Sequence, residues 1–447
     1  MTPKEQLKKI KEKKPGGTKT IMYQGKNQTL PWHEIPVNLL KYNYVNGRIA
    51  SNTKEFKQLG KDLNHIDPKE AKKTVGDWLW NKSVPANKKT LEDLRKNNQI
   101  EAGVVTSDGI IVDGNRRFML TCRLNGEDAN QRLFKAVILD ETYSDNKNDS
   151  LQLKLLETKL QITKDEKVNY DPIEKYIRIK EFIEYHKEGQ LKKESVIDLF
   201  NLKNVRELEE KAEVANLMES YLEYIKAPNM WSRLKNTEDL FINLESCLRL
   251  YNKQKGRAGW SFGKADVLKF KKTGFDIIRW VHNSNSQKTG WDAKKVRPLF
   301  FKNSEGAIFY DQTVFDEFTK TLSEETRKIK VPSIEQHVEQ NNSEQSVAAE
   351  HIDKDWANKI NNTMLGALGR AETKISDKKK KDRPADLIED SLHKLENLID
   401  INKFKADNMV KIEEYSLKNL GKEREKNYKL VDNIRRIAEA LKKALKD

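Results

Sequence analysis

The hydrophobic pattern of the chain changes period near residue 150. Before that point apolar residues come in short runs bounded by Gly, Asn, Asp and Pro, as short strands and turns among helices do. Ile35-Pro36-Val37 predicts a short strand ending near Asn43, and Asn46-Gly47-Arg48 predicts a turn. Gly103 to Thr106 and Ile110 to Val112 predict a hairpin joined by Ser107-Asp108-Gly109. Phe134 to Leu139 predicts a further buried strand. Among these, Phe56, Leu59 and Leu63 lie on one face of a short helix from Lys54 to Asn64. Trp78, Leu79, Trp80 and Val84 form an apolar knot that reads as an insertion, and Thr90 is placed to cap a helix starting at Leu91.

After Ser150 the spacing becomes helical, with Leu153, Leu156 and Leu160 on one face. Asp171-Pro172 predicts an N-cap followed by proline in the first turn of a helix through Ile173, Tyr176, Ile177 and Phe182. Two helices follow, one from Lys193 to Phe200 and one from Val205 to about Ile225, broken at Asn201 to Asn204. That is helix-turn-helix spacing, although Glu207, Glu209, Glu210 and Glu213 make the second helix a poor surface for phosphate. An ordinary helical hairpin satisfies the same pattern. Ser333 to Glu350 is polar and reads as a flexible linker. Residues 352–447 are helical again, with Lys378 to Pro384 separating a short helix from a long one. Ile388, Leu392, Leu395 and Ile399 share a heptad phase with Ile434, Ile437, Leu441 and Ala444, which predicts a helical hairpin or an interrupted coiled coil and self-association.

Charge sharpens this outline. The 447 residues carry a formal net charge of +15, with 34% charged residues and a mean hydropathy of −0.83. Residues 251–302 hold thirteen Lys and Arg against Asp266, Asp276 and Asp292, and the first 27 residues hold eight Lys against Glu5 and Glu12. The remainder is close to neutral, so the excess is a local statement about partners. Residues 1–28 read as a mobile basic arm and not as a secretion signal, since they lack an apolar core segment. No apolar run is long enough to span a membrane. The two cysteines, Cys122 and Cys247, form no metal or disulfide pattern, which fits a cytoplasmic setting.

The densest chemistry lies at Asp113-Gly114-Asn115-Arg116-Arg117. A strand stops at a glycine, two arginines follow at once, and a helix opens at Phe118. Glycine lets backbone approach a ligand, and a helix N-terminus presents free N–H groups to an anion. Arg116 and Arg117 add forked donors suited to phosphate. A surface turn with two solvated arginines is the plainer alternative.

This turn has company. Asn46-Gly47-Arg48 precedes it, and Glu157 and Gln161 lie on the helix after the Phe134 strand. Asp171-Pro172-Ile173-Glu174 then opens the next helix. In this order the chain resembles the ParB/sulfiredoxin superfamily over roughly residues 30–225. Gly114-Asn115-Arg116-Arg117 stands in place of the family's Gly-Glu-Arg-Arg box, and Arg48 in place of its upstream arginine. The family's Glu-Asn-x-Gln-Arg motif is reduced to Glu157-Thr158-Lys159-Leu160-Gln161-Ile162. An insertion around Asp67 to Lys88 is a further departure, and no cysteine in the loop supports sulfinic acid reduction.

The resemblance implies a site for a nucleoside triphosphate, CTP or ATP, with Mg²⁺. Arg48, Gly114, Asn115, Arg116, Arg117 and Gln161 would hold it, and Glu157 would orient the metal or a water, with Asp113 a second catalytic acid. Separately, Lys255, Arg257, Lys264, Lys271, Lys272, Lys294, Lys295 and Arg297 are candidates for DNA phosphates. Exposed aromatics among them, such as Trp260, Phe262, Trp291, Phe300 and Phe301, would stack on unpaired bases. Phe270, Phe275, Ile277, Ile278 and Trp280 instead have the spacing of a helical core.

The expected architecture is α+β: a small ParB/sulfiredoxin-like α/β domain, then a mainly α-helical middle domain, then a C-terminal helical or coiled-coil region. The expected segments are the arm 1–28, a nucleotide-binding domain 29–145, and a helical domain 146–228. A basic aromatic domain 229–332, a linker 333–351 and a self-association region 352–447 complete the chain. The expected function is nucleotide-dependent DNA binding by a homodimer, cytoplasmic or on the nucleoid, in DNA segregation, mobile-element maintenance or phage defence. The alternatives are a ParB-fold nuclease or nucleotide-dependent phosphotransferase, and a nucleotide sensor or scaffold without hydrolysis.

Overall fold

Gln24 and Gly25 both adopt positive φ, 49° and 75°. This is the backbone of a tight two-residue turn whose twist matches the flanking strands. It joins β1 (Gly17–Tyr23) to β2 (Lys26–Ile35), with Tyr23 opposite Lys26 and Gly17 opposite Trp32. The computed structural model describes residues 1–127, 131–143, 147–164, 172–284, 290–332, 334–341, 345–398 and 436. Three short strands complete one mixed sheet: β3 (Gly103–Val105), β4 (Ile111–Asp113) and β5 (Phe134–Ile138), in the order β1-β2-β5-β3-β4. β5 runs antiparallel to β2 and parallel to β3, and β3 and β4 form the antiparallel pair read from the sequence.

Strand alternation divides the apolar residues between two faces. Val105, Ile111, Phe134 and Ile138 join one core with α1 (Pro3–Lys11), α3 (Pro68–Asn81), α4 (Val84–Asn97) and α5 (Asn115–Glu127). Val104, Val112, Val137 and Leu139 join the other core with Leu153 and Leu156 of α6 (Lys147–Lys164). The sheet therefore lies between α5 and α6, the two helices that carry Arg116 and Glu157.

Several expectations are corrected. Residues 1–28 are not an arm. Leu7 of α1 is fully buried, and β1 is a paired strand, because apolar Leu7, Ile21 and Tyr23 interleave with the lysines. Ile35 ends a strand, but Val37–Leu39 is a 3₁₀ turn, since Pro36 breaks the ladder. The presumed insertion is helical, and α2 (Ala50–Gln58) precedes it. Thr90 is interior to α4, bonding back to the Ala86 carbonyl and capping nothing.

The helices that follow are α7 (Pro172–Lys187), α8 (Lys193–Phe200) and α9 (Val205–Tyr224), with Asn204 capping α9. Asp171, assigned as the cap of α7, lies outside the described residues. Next come α10 (Glu238–Asn252), α11 (Lys264–Asn283), α12 (Ala293–Leu299) and α13 (Gln312–Lys328). The expected linker instead contains α14 (Ile334–Asn341) and the start of α15 (Gln345–Leu398). Ile334, Ala348 and Ala349 supply enough apolar surface there to be buried. α15 continues through Lys378 to Pro384, where a break was expected. Contacts divide the chain into two units, Met1–Glu372 and Thr373–Asp447. The heptad positions from Ile399 onward lie outside the described residues. Among the described residues no helix is long and apolar enough to cross a membrane.

Candidate phosphate site and basic surface

Gly114 has φ +104°, a backbone conformation that strains any residue with a Cβ. An added Cβ would also meet the Phe134 ring at 3.0 Å. The turn therefore swings from β4 directly into the N-terminus of α5. Asn115 is the first residue of that helix and is buried. Its Oδ1 accepts the Asn43 N–H at 3.2 Å and its Nδ2 donates to the Ile111 carbonyl at 3.0 Å. The amide ties the Arg48 loop to the Gly114 turn, a task that needs both an acceptor and a donor.

The two arginines of the box part company. Arg116 donates through Nε to Asn87 Oδ1 at 2.6 Å and through Nη2 to Thr90 Oγ1 at 3.3 Å. Asn87 is fully buried and its own Nδ2 bonds the Leu79 and Trp80 carbonyls. The presumed insertion is thus the wall that holds Arg116. Burial presses the Arg116 pKa down, and the Arg48 charge presses it further. A half-buried guanidinium at a helix N-terminus, in the field of a second cation, favours an anion. Arg117 turns away to Asp113 Oδ2 at 3.1 Å and to Glu101 at 3.3 Å. Lys19 also faces Asp113, at 3.4 Å. Asp113 and Arg117 thus belong to an ion-pair cluster at the other side of the turn.

Glu157 is 0% exposed. Its Oε1 accepts the Gly47 N–H and the Gln161 Nε2, both at 2.8 Å. Its Oε2 accepts Arg178 Nη2 at 3.2 Å and Asn43 Nδ2 at 3.4 Å. Burial pushes the Glu157 pKa up, while the Arg178 charge and the Gly47 N–H pull the other way. With four N–H groups on two oxygens, this carboxylate does not fit a Mg²⁺ ligand set. Among the described residues no group of three or more His, Cys, Asp or Glu is placed to hold a metal ion. Glu157 and Gln161 instead brace the Arg48 loop from behind.

Two residues missed in the sequence complete that brace. On α7, Arg178 donates to the Val45 carbonyl at 3.0 Å, and Glu174, one turn earlier, accepts the Ser51 N–H at 2.9 Å. Lys82 pairs with the same Glu174. A signal was present: Glu174 and Arg178 interrupt the apolar face built by Ile173, Ile177 and Phe182.

The basic region divides differently from expectation. Phe270, Phe275, Ile277, Ile278 and Trp280 are buried, as their spacing predicts. Trp291, Phe300 and Phe301 are buried too, and half-buried Trp260 gives its N–H to the Phe309 carbonyl at 2.9 Å. Phe262 packs edge-on against Tyr251 and Phe309. Trp260, Phe262, Phe300 and Phe301 pack with Tyr251, Phe270 and Phe309 in one aromatic core, which turns them from water and not toward bases. Lys255, Arg257, Lys264, Lys272, Lys294, Lys295 and Arg297 are exposed. Lys271 is half-buried with its ammonium 5.5 Å from the Phe275 ring, and Lys295 lies over Trp291 and faces Glu372 at 3.4 Å.

Compared with known proteins, the chain matches no family model and no curated sequence.

Proposed function

We propose that this chain is a ParB-like, nucleotide-dependent DNA-binding protein. The phosphates of a nucleoside triphosphate sit between Arg48 and Arg116 at the N-terminus of α5, and DNA lies on the exposed cations of residues 255–297. The observation that carries the reading is the Gly114 turn, which delivers Arg116, fixed by Asn87 and Thr90, to the N-terminus of α5. Asn43 bonds Asn115, which ties the loop that carries Arg48 to the same turn. A cation held at that end of a helix favours an anion beside it. The strand–glycine–helix order adds backbone N–H groups to the same spot.

A specific observation favours the variant in which nucleotide is sensed and not hydrolysed. Both acids assigned to catalysis are engaged, Glu157 by four N–H donors and Asp113 by Arg117 and Lys19. Arg48 and Arg116 still provide phosphate contacts under that variant.

The test is calorimetric titration with CTP, ATP and GTP in Mg²⁺, with and without duplex DNA, alongside phosphate-release and DNA-cleavage assays. One nucleotide is expected to bind, and Arg116→Ala to weaken it by at least about tenfold, in line with loss of a charge-assisted bond. Binding of none of the three, or unchanged binding by Arg116→Ala, would overturn the site. Phosphate release would favour the hydrolase over the sensor.

A further inference from the structure

The helices α3 and α4 reach Arg116 through two side chains of α4, Asn87 and Thr90. Asn87 is fully buried, and its Nδ2 donates to the Leu79 and Trp80 carbonyls in the last turn of α3, at 3.0 and 2.7 Å. A helix end leaves such carbonyls without partners of its own. Both N–H groups of the amide are spent there, so only Oδ1 is left for Arg116, and it accepts the Nε–H at 2.6 Å. A flipped amide would set its N–H groups against the guanidinium and its oxygen against two carbonyls. Three residues further along α4, the Thr90 hydroxyl donates to the Ala86 carbonyl at 2.9 Å. Its lone pairs are therefore free to accept Arg116 Nη2, at 3.3 Å.

These two bonds decide which part of the guanidinium is left. Nε and Nη2 share one edge of the plane, and α4 occupies that edge from two positions on one face. The adjoining edge, between Nη1 and Nη2, is uncommitted, because Nη1 has no acceptor among the described residues. Arg116 is half-buried, and Nη1 is not one of the buried atoms left unpaired, so this edge meets solvent. Two N–H groups fixed side by side match two oxygens of one phosphoryl group. A lysine ammonium in the same place brings the charge without the pair of donors.

We infer that Asn87 and Thr90 are positioning residues, which hold one edge of Arg116 so that the other receives two oxygens of a single phosphoryl group. The inference rests on the phosphate site proposed above, and adds what the ligand presents there and which helix sets the pose. The stretch that reads as an insertion in the sequence is thereby part of the binding machinery.

The experiment titrates the full chain and its variants with CTP, ATP and GTP in Mg²⁺ by calorimetry. Arg116→Lys keeps the charge and loses the fork, and should weaken binding by at least about tenfold, as Arg116→Ala does. Thr90→Val keeps the side-chain shape and removes the acceptor, and should weaken binding several-fold. Thr90→Ser keeps the hydroxyl and should bind like the parent. In an Arg116→Ala background Thr90→Val should change nothing further, a result that a merely structural role would not give. Asn87→Ala should weaken binding more than Thr90→Val, with circular dichroism as the fold control; the Thr90 and Arg116 variants decide the matter if it does not fold. Parent-like affinity in Arg116→Lys overturns the fork. Parent-like affinity in Thr90→Val, or the same loss with and without Arg116, overturns the positioning role. Binding of no nucleotide by the parent, or parent-like binding by Arg116→Ala, is instead the failure of the phosphate site itself, and this inference falls with it.

Discussion

Glu157 on α6 accepts the backbone N–H of Gly47 at 2.8 Å, across 110 residues of sequence. The residue after Gly47 is Arg48, so the helix behind the sheet sets where that guanidinium stands. Asn43, Gln161 and Arg178 reach the same carboxylate. The candidate phosphate site therefore depends on a buried acid that never faces the ligand.

Replacing that acid isosterically exposes the dependence. In Glu157→Gln an amide N–H₂ is set against the Gly47 N–H or the Arg178 guanidinium, and Arg178, 2% exposed, loses its closest buried counter-charge. Breaking one side of such a pair costs about 3–5 kcal/mol. Urea unfolding should show a loss of that order. Arg178 keeps Glu181 at 2.6 Å, so adding Arg178→Met should cost less in this background than it costs alone. Strict additivity of the two losses would mean that the pair is not the unit described here.

The Gly114 turn makes a narrower prediction. Gly114→Ala places a Cβ at φ +104°, 3.0 Å from the Phe134 ring. A residue held in such a region costs of order 1–3 kcal/mol. Denaturation should report that loss. Far-UV circular dichroism should be unchanged, and nucleotide affinity should fall with the displaced α5 N-terminus. An unchanged midpoint would show that the turn relaxes freely.

How far the sequence reveals this arrangement depends on the range of each interaction. Short-range signals read correctly: Ser107-Asp108-Gly109 closes a hairpin, Phe134 begins a strand, and a helix opens at Val205. The strand–glycine–helix order at Asp113 to Arg117 also reads directly, because each residue's role there is local. Long-range partners do not. Nothing near Arg117 tells that it faces Glu101 while its neighbour faces Asn87. That split follows from helical rotation of about 100° per residue, and only the placement of α4 gives it meaning. The lysine-rich first segment misled because charge outweighed three apolar positions, Leu7, Ile21 and Tyr23, spaced for burial. The polar stretch after Ser333 misled in the same way, since Ile334, Ala348 and Ala349 are buried within it.

A pH dependence follows from Asp276 on α11. Burial raises its pKa from 3.8 to about 7, against the opposing pull of the Tyr224 hydroxyl and of Arg279. The hydroxyl donates to its Oδ1 at 2.9 Å. A folded-state pKa above the unfolded value means that the folded chain holds this proton more tightly. The contribution is fully present below pH 3.8 and is lost as pH rises to about 7. The displacement corresponds to roughly 4 kcal/mol at most. Asp276→Asn keeps an acceptor for Tyr224 and cannot ionise. It should therefore gain stability relative to the parent between pH 4 and pH 8, measured by urea midpoints at each pH. A difference that stays flat with pH would show that Asp276 titrates normally.

The anchor of α15 offers a second buried pair. Asp353 accepts Arg233 Nε at 2.7 Å and Arg279 Nε at 2.8 Å, and Trp356 lies 4.5 Å from the Arg279 guanidinium. Asp353→Asn leaves two guanidiniums facing each other in a buried setting. A loss of about 3–5 kcal/mol is expected in chemical denaturation. Adding Arg233→Met should restore part of it. A loss under about 1 kcal/mol would place the pair among solvent-screened bridges.

The last prediction concerns the DNA surface, where the structure ranks residues that the sequence treats alike. Lys271 is half-buried over Phe275, and Lys295 is already matched by Trp291 and Glu372. Lys264, Lys272, Lys294 and Arg297 are exposed, and none has an ion-pair partner among the described residues. A cation that meets a phosphate releases a counterion, and each such contact contributes about 0.9 to the slope of log affinity against log salt. Lys272→Glu with Lys294→Glu should therefore weaken duplex binding at low salt and flatten that slope by about 2. The pair Lys271→Glu with Lys295→Glu should change the slope less, because those charges are partly spent within the protein. Fluorescence anisotropy over a salt series, with circular dichroism as a fold control, measures both. Equal effects from the two pairs would mean that net charge alone governs binding. No effect from either would return the surface to a solvated face, with the DNA bound elsewhere or not at all.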